Sequence, residues 1–227
     1  MLHRFRSSAA ERLLAVHLTL TDRLACPRCG PTFGLILLAS RLVERRVHAG
    51  VLGCPNCRDS FSVIDGFADL RAPPREGLPA GLAGAVDDTD GELPTEADRV
   101  IALLGIPRGP GTAVLVGRPA RHAWVLAAAI EGLQVVAADA DVRAWPDAPD
   151  VSRLVCAPGL PFFSRTLRGV VIDGRLGPDM IREAARVVAP MSRVVVVGPD
   201  PGVDRALLDE GLTVLAADPE TVVAARR

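Results

Sequence analysis

Four cysteines stand in two matching frames, Cys26-Pro27-Arg28-Cys29-Gly30 and Cys54-Pro55-Asn56-Cys57, with 24 residues between them. A C-x-x-C turn brings two thiolates onto one ion while the loop's backbone N–H groups bond the sulfurs, and two such knuckles complete a tetrahedral site for Zn²⁺. The spacer is long enough for a hairpin that returns the second knuckle to the first. A redox dithiol or disulfide pair is the competing use of these cysteines, and it calls for an oxidising compartment. The opening MLHRFRSSAAERLLAVHL is basic, but Glu11 and Arg12 interrupt the apolar run that a secretion signal needs. A retained N-terminus and a cytoplasmic protein are therefore expected. Because all four positions are Cys, no coordination site is left for water, and the ion is expected to be structural.

After the second knuckle, Ser60 to Ile64 alternates, meets the turn pair Asp65-Gly66, and continues as Phe67-Ala68-Asp69-Leu70. This reads as strand, turn, short strand. The run LACPRCG, then GVLGCPNCRDSFSVIDGFADL, resembles the small zinc ribbon of the tRNA-methyltransferase-activator family and its short bacterial relatives. That family carries two C-P-x-C pairs, an aromatic, an alternating strand and an I-x-D-G-I-P turn. Phe61 stands at the aromatic position and Ile64-Asp65-Gly66-Phe67 at the turn, with Ala68 in place of the Pro. The resemblance covers about residues 20–72 and implies a ribbon that docks on, or is fused to, a methyltransferase, hence a protein partner. Between the knuckles, Arg41, Arg45, Arg46 and His48 make a concentrated basic stretch. It is the pattern of an RNA footprint, and equally that of a charged ribbon edge that resists aggregation.

Composition narrows the classes. With 49% hydrophobic and 23% charged residues the bulk of the chain is not disordered, and no apolar run approaches the ~18 residues of a membrane span. Residues 1–72 carry ten Arg against six acids, so +4, leaving −5 for the remainder of a net −1 chain. This balance excludes a strongly basic nucleic-acid binder. All 26 basic residues are Arg, a uniform usage that reflects genomic base composition more than phosphate contacts.

Residues 73–94 are rich in Pro, Gly and acid, with Asp87, Asp88 and Asp90 clustered, and read as a linker between a ribbon (1–72) and a second domain (95–227). Little in that stretch offers itself for burial, so the two parts are expected to separate. Thr95 and Asp98 have the spacing of a capping box, opening a helix that Gly105 and Pro107 stop. Beyond it, short apolar strands alternate with helical segments, which argues a mostly parallel α/β sheet. Strands are predicted at 113–116, 133–138, 153–156, 169–172, 193–197, 213–216 and 221–225, with helices at 120–131, 178–188 and 203–210. The last two strands close as an antiparallel hairpin across Asp218-Pro219. The pattern resembles the Rossmann-like class I methyltransferase fold, as do EAARVVAPMSRVVVVGPD and GLPFFSRTLRGVVID. The resemblance implies a site for S-adenosylmethionine at the first strand end.

At that site the residues depart from the family's acidic-x-Gly-x-Gly-x-Gly loop. The strand runs into Val116-Gly117-Arg118-Pro119-Ala120-Arg121. Gly117 alone stays in register, Pro119 and Arg121 replace the later glycines, and Val116 stands near the place of the acid. Missing side chains let a backbone approach a cofactor closely; Pro fixes φ and removes a donor, and Arg adds bulk and positive charge near a sulfonium. Asp139, ending the second strand, matches the carboxylate that grips the ribose, or is a solvated strand-end acid. Gly117 and Asp139 are the candidate cofactor residues, and Cys26, Cys29, Cys54 and Cys57 the metal ligands.

Catalytic candidates are few. Cys156 lies in an apolar strand without an acid–base partner and reads as a small buried hydrophobe. Asp173 ends the fourth strand, where this fold keeps substrate-facing groups, and His122 opens the first crossover helix on the surface or toward a pocket. No Ser-His-Asp ordering, phosphate-binding loop or second metal cluster is present. The sequence supports a zinc-binding scaffold or interaction protein with a degenerate, non-catalytic methyltransferase-like domain. The second reading is an active S-adenosylmethionine-dependent methyltransferase acting on RNA or a translation-related protein.

Overall fold

The computed structural model describes residues 16–77, 95–138 and 151–227. The N-terminal part is built from β1 (Val16–His17), a 3-10 turn at Leu18–Arg23, β2 (Ala25–Cys26), β3 (Gly30–Gly34), β4 (Ile36–Val43), β5 (Arg46–Gly53), β6 (Ser60–Ile64) and β7 (Phe67–Asp69). β4 and β5 form the expected hairpin, turning at Glu44 and Arg45, both at positive φ. β6 and β7 turn at Asp65-Gly66. The alternation of β6 is literal: Phe61 and Val63 are buried, and Ser60, Ser62 and Ile64 are exposed.

The second part runs α1 (Ala97–Leu104), β8 (Gly111–Val116), α2 (Ala123–Ala129), β9 (Leu133–Ala138), β10 (Val151–Val155), β11 (Leu167–Asp173), α3 (Pro178–Val187), β12 (Val188–Val197), α4 (Val203–Asp209), β13 (Thr213–Ala217) and β14 (Thr221–Ala225). The strand order β10-β9-β8-β11-β12-β14-β13 is parallel through its first five members and antiparallel in the closing hairpin. This is the Rossmann-like, class I methyltransferase-type sheet. Alternate residues of each strand feed two cores, as the period of two requires. Val114, Val136, Val170 and Val194 face α3 and α4, while Ala113, Val135, Val171 and Val195 face α1 and α2.

The two parts do not hang apart. β7 pairs parallel with β10, Ala68 opposite Leu154, so the ribbon strands extend the large sheet. Leu24 bridges to Phe162, and the Ala25 N–H donates to the Pro161 carbonyl (2.9 Å). A parallel sheet needs helices on both faces, yet the connection 156–166 between β10 and β11 contains no helix. Ribbon residues Leu20, Leu24, Cys26, Phe61 and Leu70 supply the cover instead, in one continuous core with Leu154, Phe162 and Ile181. The first linker residues also pack on the ribbon, where Arg75 lies 4.7 Å from the Phe61 ring centre. Residues 78–94 of the expected linker, with Asp87, Asp88 and Asp90, lie outside the described residues.

Two local expectations are corrected. The capping box does not form, because the cap position falls on Glu96, one residue later, and the Thr95 side chain is buried without a hydrogen bond. The helix expected over 120–131 is a 3-10 turn, Arg118–His122, followed by a shorter α2. Gly105 does stop α1, at φ 62°, in the left-handed region. Among the described residues no helix is long and apolar enough to cross a membrane.

Candidate functional site

The four sulfurs of Cys26, Cys29, Cys54 and Cys57 lie within 4.8 Å of one another. Cys26 and Cys57 are 3.7 Å apart and Cys29 and Cys54 3.8 Å. A disulfide needs ~2.05 Å, whereas a tetrahedron with Zn–S bonds of ~2.3 Å has edges near 3.8 Å. This group can hold a metal ion. The knuckles prepare it: the Cys29 N–H points to the Cys26 sulfur (3.4 Å), Asn56 Nδ2 donates to the Cys29 sulfur (3.3 Å), and Arg28 pairs with Asp59 across the two loops (3.0 Å). Burial pushes the Cys26 thiol up to about 12, beyond what the Cys29 and Arg28 N–H groups offset. For Cys54 burial acts the same way but is outweighed, chiefly by the Cys57 and Asn56 N–H groups, and the thiol falls to about 7.

The second place of interest is the crevice beyond the carboxyl ends of β8 and β11, where the strand order reverses and open α/β sheets take their ligands. β8 ends in Val116, and Gly117 turns the chain at φ 74°. A Cβ there would stand 3.0 Å from Asp173 Cβ, so the position needs glycine for both reasons. The next side chain turns inward. Arg118 Nε donates to Asp173 Oδ2 at 2.6 Å and its Nη2 to Oδ1 at 2.9 Å. The Asp173 side chain is fully buried and that of Arg118 is 9% exposed. Asp173 also accepts from the Arg175 N–H (3.1 Å). Burial alone would raise the Asp173 carboxyl, but the hydrogen bond from Arg118 and that from the Arg175 N–H outweigh it and hold the group below the ordinary carboxylate range. An acid so paired is a poor base, and the guanidinium is buried with it at the ends of β8 and β11.

Arg118 was absent from the residues that sequence reasoning singled out there. Pro119 is buried and Arg121 half-buried, and the large side chain beside Asp173 is that of Arg118. The available signal was a strand ending in Gly-Arg and another ending in Asp, which becomes meaningful only when the strands are neighbours. Asp139 lies outside the described residues. Cys156 is buried, as expected of a small hydrophobe. His122 is half-buried, its Nε2 3.1 Å from the Thr95 carbonyl, and burial lowers its pKa despite that contact. Arg41 and Arg45 are exposed and Arg46 half-buried, but His48 is buried, so it leaves the basic stretch. Its bulged position on β5, between the pairings of Ala49 and Val47, turns it inward.

Ribbon and sheet flank an open pocket of about 340 Å³, lined by Cys26, Pro27 and Pro31 and by Cys156, Leu160 and Phe162. Its charged wall is already satisfied. Arg186 holds Glu183 through two contacts of 2.7 Å and donates to the Leu160 and Phe162 carbonyls, and Glu183 accepts from the Leu160 N–H. This clamp fixes the helix-free connection to α3.

No protein-family model and no curated protein matches this chain. Among solved structures, it is similar to the complex between the Haloferax volcanii Trm112 methyltransferase activator and a putative methyltransferase, at 16% identity and TM-score 0.46, over 57% of this chain and 88% of that one. A TehB-like S-adenosylmethionine-dependent methyltransferase from Corynebacterium glutamicum gives 14% and 0.45, over 58% and 88%. A geranyl diphosphate C-methyltransferase from Streptomyces coelicolor gives 15% and 0.47, over 58% and 78%. The fold assignment rests on the strand order given above.

Proposed function

We propose that this chain is a zinc-binding scaffold whose methyltransferase-like domain has lost its cofactor site and works through protein contacts. The observation that carries this reading is the buried Arg118–Asp173 pair at the ends of β8 and β11. A sulfonium entering there would meet Val116 where the family's loop offers an acid, Pro119 and Arg121 where it offers the later glycines, and beside them a guanidinium whose carboxylate is already engaged. Removing Arg118 from Asp173 to admit a ligand would take the closest counter-charge from a fully buried carboxylate, leaving it the Arg175 contacts, and breaking a buried pair costs up to ~3–5 kcal/mol. Structural Zn²⁺ on Cys26, Cys29, Cys54 and Cys57 would close the ribbon, with no ligand position open for chemistry. Gly117 keeps a turn role here. The ribbon resembles an activator that docks on methyltransferases, and in this chain such a module would be docked in cis, along β10. RNA contact through Arg41, Arg45 and Arg46 is a subsidiary role, tested by the Ala triple variant in a partner pull-down.

Calorimetric titration with S-adenosylmethionine and S-adenosylhomocysteine tests the reading. No heat of binding is expected at ligand concentrations to ~100 μM. A dissociation constant near or below ~10 μM, about −7 kcal/mol, overturns it and favours the active enzyme.

A further inference from the structure

We propose that the outer edge of β4 is a self-association surface, on which a second copy of this chain pairs antiparallel about a two-fold axis through Leu37. β4 spans eight residues, and among the described residues β5 is the only strand paired with it. Natural edge strands are kept from pairing by Pro, by repeated charge, by brevity or by bulges, and the two irregularities of β4 flank Arg41, leaving residues 36–39 in regular register. ILLASRLV has no Pro and one charge, Arg41, placed after the irregularity that follows Ala39. The first half of the strand is therefore a regular, uncharged row of backbone groups whose outer edge meets no other strand among the described residues.

The side chains on this half agree. Ile36 is 56% and Leu38 68% exposed, on the face away from the core, and Val51, directly opposite Leu38 on β5, is exposed with them. A two-fold antiparallel pair keeps each face on its own side only when partners share parity, so the axis passes through a residue. Centred on Leu37, each copy's Ile36 lies opposite the other's Leu38, and Leu35 opposite Ala39. The two copies then make one apolar strip from Val51 to its symmetry mate. The same register sends the two Arg41 side chains to opposite ends of the joint, so like charges do not meet. A centre near Arg41 would bring them together, and a centre on Leu37, within the regular stretch that ends at Ala39, avoids this. An edge pair of this length falls in the class of weak interfaces burying less than ~1,200 Å² in total. The dimer is accordingly expected to be reversible and to depend on concentration.

Sedimentation velocity of the zinc-loaded full chain between ~1 and ~100 μM tests this, a range centred on micromolar affinity. The expected result is a monomer–dimer shift that Leu38→Arg weakens at least about tenfold and Leu215→Arg leaves in place. Leu215 is 52% exposed on β13, the strand at the opposite edge of the sheet, so it controls for a general effect of exposed arginine. Leu38 projects into solvent, and an unchanged circular dichroism spectrum checks that its variant folds. A wild-type chain that stays monomeric throughout the range overturns the proposal. So does a dimer that is indifferent to Leu38→Arg, or one dispersed by Leu215→Arg instead.

Discussion

Arg118 and Asp173, 55 positions apart in the chain, meet in a two-point ion pair that ties the end of β8 to the end of β11, with Nε–Oδ2 2.6 Å and Nη2–Oδ1 2.9 Å. Such a fork matches a planar guanidinium to a carboxylate and is stronger than either bond alone. Its place is the reversal point of the sheet, where the carboxyl ends of the two strands lie side by side.

Breaking the pair from one side takes the two-point partner from a buried charge, and for Asp173 only the Arg175 N–H (3.1 Å) and the longer Arg175 guanidinium contact (3.5 Å) stay close by. Asp173→Asn or Arg118→Ala is therefore expected to cost about 3–5 kcal/mol, while an apolar double replacement of similar volume costs much less. Urea denaturation of the two single variants and the double variant gives the coupling directly. Additive losses would mean that the two groups do not act as a pair.

Acid should find the same carboxylate. Asp173 and Glu183 are held below their ordinary values, against burial, by their arginine partners and by backbone N–H groups. A depressed native pKa adds stability that is fully present above the unfolded value, about 4, and is lost as pH falls through the native value. Stability should be flat with respect to these groups from pH 7 to about 5 and then fall. The Asp173→Asn variant should show a shallower fall than the wild-type chain below about pH 4. The comparison removes the contribution of the cysteine group, which both proteins share. Parallel curves would assign the acid sensitivity elsewhere.

Metal removal should be felt far from the cysteines. Cys26 and Cys54 are buried in the same core as Phe162 and Ile181, and ribbon side chains cover the face above the 156–166 connection. Chelation, or Cys29→Ser, is expected to open β10 and β11 together with the ribbon, since a metal site of this kind contributes folding free energy outright. Hydrogen exchange followed by mass spectrometry reads this by segment. Protection lost from 20–72 alone, with 151–173 unchanged, would show the ribbon to be a passenger. A zinc-free protein with full ribbon protection would remove the metal assignment itself.

Local sequence carried the cysteine frames, the strand and helix order of residues 95–227 and the closing hairpin, because each depends on neighbours a few positions away. Strand β9 at 133–138 and strand β14 at 221–225 stand at their expected limits, and the spacing of the knuckles was enough to bring four sulfurs together. Tertiary structure alone decided three things. It paired β7 with β10, because an edge strand's backbone accepts any extended partner and the choice is made by which apolar faces must be covered. It let the ribbon stand in for a crossover helix, a substitution visible only when both faces of the sheet are known. It also turned Arg118 inward, since an arginine after a glycine is ordinarily solvated. Only the reversal of strand order between β8 and β11 sets the Asp173 carboxylate within its reach, and that order is not written in any local pattern.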